Sequence, residues 1–155
     1  MSRRWAVFSD RVMGGVSVAH GAMTTVHGRR ALQLTGTVSL ERNGGFIQVA
    51  CALGDPPGTG IDARAYRGLA LTVRGTPGPY FVHLRTADTR APWQYYAAPL
   101  PVSPEWTHVV IEWGAFRPAS LSTPLNVSSV LRIGIVAATA AFRADIAVAD
   151  LWCEP

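Results

Sequence analysis

Apolar residues recur at every second position through this chain, and no segment shows helical spacing with capping residues at both ends. Period two marks a strand with one buried and one open face. The alternation predicts strands near 4–8, 18–26, 31–40, 45–52, 68–75, 79–86, 93–99, 106–113, 130–137 and 144–152. Between them lie "GDPPGTG", "GTPG", "DTRAP", "PVSPE" and "RPASLSTP", all of turn chemistry. The nearest helical candidate, "DARAYRG" at 62–68, is one turn at most, because Gly68 stops it. About ten short strands with 15 glycines and 11 prolines describe an all-β chain, an antiparallel β-sandwich or jelly roll. At 155 residues, with 48% hydrophobic and 15% charged residues, a single domain over 1–155 can bury a core of its own.

Strand parity sorts side chains into two sets. In "GLALTVRG", Leu69, Leu71 and Val73 oppose Ala70, Thr72 and Arg74. In "YFVHLR", Tyr80, Val82 and Leu84 oppose Phe81, His83 and Arg85. In "FIQVAC", Ile47, Val49 and Cys51 oppose Phe46, Gln48 and Ala50. In "WQYYA", Trp93 and Tyr95 oppose Gln94 and Tyr96. The first set of each is the expected core face. If the four strands share one sheet, Gln48, Thr72, Arg74, His83, Arg85, Gln94 and Tyr96 gather on its outer face as a candidate ligand site. Forked donors, amides and an aromatic platform are good ligand-contacting chemistry. An ordinary solvated sheet face also reads polar.

Near the N-terminus, "SDRVMGGVS" combines two adjacent glycines with an Asp/Ser pair. It lacks the G-x-x-x-x-G-K-[ST] pattern and has no strong helix behind it, so it is not a phosphate loop. The expected reading is a structural turn. Gly14-Gly15 reverses the chain between the first strand and "VSVAH", Asp10 and Ser17 satisfy backbone groups of that turn, and Met13 plugs the sandwich end. Asn43-Gly44-Gly45-Phe46 reads as a second such corner.

The remaining chemistry is sparse. His20, His27, His83 and His108 have no metal-ligand spacing, and Cys51 and Cys153 form no C-x-x-C pair, so no metal or cofactor is implied. Two mostly buried thiols are expected. No G-x-S-x-G elbow advertises a nucleophile. Glu41, Glu105, Glu112, Asp62 and Asp88 could pair as glycosidase-type carboxylates, but separate strand ends explain them more cheaply. Core packing is the expected role of Trp5, Trp93, Trp106, Trp113 and Trp152, with sugar stacking the minority alternative. All 14 basic residues are arginine and the formal net charge is +4. The arginines are scattered, apart from Arg3-Arg4 and Arg29-Arg30, so no nucleic-acid stripe is expected. No apolar run approaches the roughly 20 residues of a transmembrane span. Ser2-Arg3-Arg4 has a twin-arginine look, but the apolar run behind it stops at Phe8, short of a signal core. A basic lead-in to a first strand, in a cytoplasmic protein, is the expectation.

With these residues in view, the chain resembles the complex I intermediate-associated protein 30 family. The resemblance rests on Asp10-Arg11-Val12-Met13-Gly14-Gly15-Val16-Ser17 and Asn43-Gly44-Gly45-Phe46, then Tyr66-Arg67-Gly68-Leu69 leading to Val73-Arg74-Gly75. Tyr80 through Arg85, Gln94, Trp106 and Phe116-Arg117-Pro118 follow in family order. It implies a galactose-binding-like jelly roll, similar to some carbohydrate-binding modules, and a non-enzymatic, assembly or chaperone-like role. The implied partner is a protein, such as a respiratory complex subunit, or a carbohydrate-type ligand. Departures from the family pattern are expected in the lack of a transit peptide and of an extension beyond the domain, and Phe142 has no glycine before it.

Overall fold

The computed structural model describes residues 5–155; Ser2-Arg3-Arg4 and the expected strand start at position 4 lie outside them. The described residues form eleven strands: β1 (Trp5–Ser9), β2 (Val18–Val26), β3 (Arg29–Val38), β4 (Phe46–Ala52), β5 (Gly68–Gly75), β6 (Tyr80–Thr86), β7 (Tyr95–Pro99), β8 (Thr107–Glu112), β9 (Arg117–Ala119), β10 (Val130–Ala138) and β11 (Phe142–Glu154). Helical structure among the described residues is confined to three short 3-10 turns.

The strands form two sheets. One has six strands in the order β1-β4-β10-β6-β7-β9; the other has five, β2-β3-β11-β5-β8. Every pairing is antiparallel. The all-β sandwich expected from the alternation is what the chain folds into. Its core is the meeting of two inner faces. Ile47, Val49, Ile133, Ile135, Val82 and Leu84 come from the six-stranded sheet; Leu32, Leu34, Leu69, Leu71, Val73, Ile146 and Val148 come from the other. Each such burial contributes about 1.5–3 kcal/mol, against about 1 kcal/mol net for a typical hydrogen bond. Apolar contact between faces, more than the ladders within them, therefore holds the layers together. One polar pin crosses the gap: on β6, the Tyr80 hydroxyl accepts from the Asp145 backbone N–H on β11 at 3.1 Å.

Strand β9 is an addition to the sequence reading, which left 117–119 in a turn. Pro118 argued for that, but β9 is the outermost strand of its sheet, where a residue without an N–H is tolerated. The Gly14-Gly15 segment also differs from expectation. It does not close a hairpin, because β1 and β2 belong to different sheets; it carries the chain from one layer to the other.

That crossover is organised by Asp10, which is fully buried. Its carboxylate accepts from the Ser17 N–H (3.0 Å), the Ser17 hydroxyl (2.5 Å), the Gly45 N–H (2.6 Å) and the Phe46 N–H (3.3 Å). Ser17 in turn accepts from the Ser39 N–H at 2.8 Å, just past the end of β3. One carboxylate thus ties the ends of β1 and β4 in one sheet to those of β2 and β3 in the other. The glycines around it have separate reasons. Gly14 ends the 3-10 turn Asp10–Met13 at φ 86°, in the left-handed region that favours glycine. Gly15 and Gly44 lie so close to the Asp10 carboxylate that a methyl group on either would overlap it. Burial alone would raise the Asp10 pKa, but the Ser17, Gly45 and Phe46 hydrogen bonds outweigh it and hold the carboxyl below its ordinary value. Met13 does not plug the sandwich end: it is 63% exposed.

Candidate functional site

The outer face of the six-stranded sheet carries a groove of about 810 Å³. β4, β10, β6 and β7 form its floor, and the loops before β2, β4 and β7 form its ends. Gln48, His83, Arg85 and Arg132 supply most of its polar side chains; Phe8, Phe46, Phe81, Trp93 and Tyr95 supply its aromatic surface. Val12, Met13 and Leu40 line one end. Among the described residues, no lining side chain is a carboxylate.

Parity on β4 and β6 explains much of this arrangement. With Ile47 and Val49 turned inward, Gln48 must point out; with Val82 and Leu84 inward, His83 and Arg85 must as well. Between them β10 contributes Gly134, opposite His83. A methyl group at Gly134 would collide with the Gln48 amide oxygen, so the missing side chain is what lets Gln48 lie over the sheet. The His83 and Tyr95 rings stack with centroids 4.1 Å apart and planes 13° from parallel. Burial pushes the His83 pKa down to about 4, so the stack is neutral near pH 7. Across the floor, the Arg132 guanidinium lies over the Phe8 ring, 4.7 Å from its centroid. Arg85 donates to the Pro92 carbonyl at 3.1 Å, which anchors the loop that presents Trp93.

Of the seven residues expected on one face, the structure brings three together: Gln48, His83 and Arg85 all line the groove. Thr72 and Arg74 are on β5, in the opposite sheet. There Thr72 sits across from His108 and Asp150, and the Arg74 Nε–H donates to the Pro104 carbonyl at 2.8 Å. Alternation fixes which side of a strand is buried but not which sheet holds the strand, and the two outer faces of a sandwich read alike. Tyr96 and Tyr95 exchange the expected positions. Tyr96 is fully buried and donates its hydroxyl to the Thr123 carbonyl at 2.7 Å, while Tyr95 faces the groove. Gln94 precedes β7 and braces a loop, its side-chain oxygen accepting from the Arg90 and Ala91 N–H groups and its amide donating to the Ser120 carbonyl. Trp93 and Trp152, expected in the core, are 66% and 40% exposed.

Phe8, Tyr95 and Arg132 escaped the sequence reading. Arg132 lies on the outward row that inward-facing Ile133 and Ile135 set on β10, a row the sequence reading, which sorted only four other strands, did not draw. None of the five carboxylates offered for a glycosidase pair is among the groove's described lining residues, and two are ion-paired elsewhere: Asp62 with Arg64 at 2.7 Å and Glu112 with Arg67 at 2.8 Å. Among the described residues, no cluster of three or more His, Cys, Asp or Glu side chains could hold a metal, and no helix is long and apolar enough to cross a membrane.

Two antiparallel sheets and an open groove on the larger one define a β-sandwich of the jelly-roll type. The chain belongs to the complex I intermediate-associated protein 30 (CIA30) family, whose model matches residues 1–147. No curated protein matches it. Among solved structures it is similar to a family 11 carbohydrate-binding module from Clostridium thermocellum in complex with a β-1,3-1,4-mixed-linked tetrasaccharide. That likeness has TM-score 0.74 at 11% identity, over 97% of this chain and 88% of that one. A family 30 carbohydrate-binding module is similar at TM-score 0.61 and 14% identity, over 89% and 75%. The agarase AgWH50C is similar at TM-score 0.66 and 9% identity, over all of this chain and 23% of the enzyme. At these identities the likeness establishes the shared fold.

Proposed function

We propose that this protein is a non-catalytic binding domain that receives a segment of another protein in its groove, in an assembly or chaperone-like role. One observation carries this reading. Val12, Met13, Leu40 and Trp93 are among the most exposed large hydrophobic residues of the chain, and all four line the groove. Exposed apolar side chains gathered on one surface mark an interaction site, whereas scattered ones need no explanation. The absence of a carboxylate from the lining supports a binding role over hydrolysis. Family membership adds the assembly context.

A photo-crosslinking residue placed at position 13 or 93 tests this in cells. Protein adducts at these positions, and none with the same probe at Arg74 on the opposite sheet, are expected. Equal labelling of both faces would overturn the reading.

A second reading, carbohydrate binding, is favoured by the stacked His83–Tyr95 pair beside Gln48 and by the tetrasaccharide complex of the similar family 11 module. Glycan-array and calorimetric titration of the wild type and Tyr95→Ala address it. Saturable binding of a neutral glucan, lost in the variant, would favour it over the protein segment.

A further inference from the structure

The polar part of the groove floor contains a charge arrangement that the fold alone does not need. Arg132 on β10 and Arg85 on β6 are direct cross-strand partners. Like charges placed opposite each other destabilise a sheet. The pairing belongs to the regular β6–β10 ladder, which sets Arg132 on the groove face beside Arg85; the β-bulge just before it turns Val130 into the core. Elsewhere among the described residues, Arg29, Arg64 and Arg67 have a carboxylate partner and other arginines, Arg30, Arg74 and Arg143 among them, do not; what distinguishes Arg85 and Arg132 is that they stand opposite each other. Among the described residues, neither Arg85 nor Arg132 has a carboxylate partner, and both line the same small pocket with Phe8, Gln48, His83 and Tyr95. Both residues are half-buried, and burial together with the charge of Arg85 lowers the pKa of Arg132.

We propose that Arg85 and Arg132 form a carboxylate subsite, and that the groove's occupant is a polypeptide segment with an aspartate or glutamate side chain flanked by apolar residues. This rests on the reading of the groove as a protein-binding site and adds the chemistry of the bound segment. Paired guanidiniums suit a carboxylate, which accepts from both forks and cancels their mutual repulsion. Gln48 supplies a further amide donor within the pocket. The apolar flanks face Val12, Met13 and Leu40 at one end and Trp93 at the other. The aliphatic end at Val12, Met13 and Leu40 matches leucine-like side chains better than sugar hydroxyls.

The test is selection from a random twelve-residue peptide library displayed on phage, against wild-type protein, Arg85→Gln, Arg132→Gln and a groove-blocked Met13→Asp/Trp93→Ala variant. Wild type should enrich peptides with an acidic residue between apolar ones. For a synthesised winner, glutamate-to-glutamine replacement should weaken binding at least tenfold, and either glutamine variant should erase that difference. Arg132→Lys keeps the charge without the planar fork and should retain part of the preference, which keeps the test decisive if a glutamine variant misfolds. The preference should also fall as salt rises. Enriched peptides without acidic residues, absent from the blocked variant, would overturn the carboxylate subsite and leave the protein-binding groove standing. Enrichment no better than that of the blocked variant would overturn both. Calorimetric binding of a glucuronate or galacturonate oligosaccharide with no peptide enrichment would overturn the polypeptide occupant.

Discussion

Asp10 and His83 are both shielded side chains whose ionisation is tied to folding, and they respond to acid over different ranges. His83 has its pKa depressed from 6.5 to about 4 by burial. The unfolded chain therefore takes up a proton first as pH falls, and stability present above pH 6.5 is lost down to about pH 4, by on the order of 3 kcal/mol. A His83→Phe variant keeps a ring against Tyr95 and removes the proton; its chemical-denaturation midpoint should be flat between pH 7 and 4.5, where that of the wild type declines. Asp10 acts lower, because its folded pKa lies below 3.8. Its contribution is complete above that value and is lost as pH falls through the depressed one. Asp10→Ala should cost about 3 kcal/mol at pH 7, since it leaves buried N–H groups of Ser17, Gly45 and Phe46 without an acceptor. Urea unfolding measures this directly, and a loss under 1 kcal/mol would contradict the role assigned to the carboxylate.

Among the elements, β7 shows most clearly what alternation can and cannot reveal. Strands β2 and β5 have the bounds expected from sequence, and the inward rows of β4, β5 and β6 are those the pattern named. Where apolar and polar residues alternate cleanly, burial follows. Tyr95 and Tyr96 defeat the method because two identical side chains in succession carry no parity, and Trp93 before them belongs to a loop. Sheet membership was equally hidden, since it is decided by how the crossovers route the chain, which is why Thr72 and Arg74 were placed with the wrong neighbours. The Asp10 corner, by contrast, was legible in "SDRVMGGVS", because so few residues other than glycine fit around a buried carboxylate. The tyrosines also give a test at this level. Tyr96→Ala should cost about 3–5 kcal/mol, as for other large buried aromatics. Tyr95→Ala should cost far less, by thermal or urea unfolding, yet remove a wall of the groove. A reversed order of the two would mean that the assigned face of β7 is wrong.

For the molecule as a whole, the two outer faces are chemically unlike. The five-stranded side presents Arg29–Asp150 and a His108–Trp152 stack, with side chains already partnered. The six-stranded side gathers the four most exposed large apolar residues, Val12, Met13, Leu40 and Trp93, around one groove with Arg85 and Arg132. Substituting Met13→Ser together with Leu40→Ser should therefore change unfolding free energy by no more than about 0.5 kcal/mol each, as for ordinary surface sites. The same pair should reduce capture of the partner segment. Calorimetry of unfolding beside a binding assay separates the two effects. A large loss of stability would show that these side chains serve the fold instead.

The Asp10 clasp also fixes how damage to this protein would present itself. Gly45 and Phe46, which donate to that carboxylate, are themselves part of the groove's lining. An injury at position 10, 15 or 17 would thus distort the recognition surface from behind, in a molecule still largely folded. A geneticist scoring lost function would be tempted to place the ligand at a residue that never meets it.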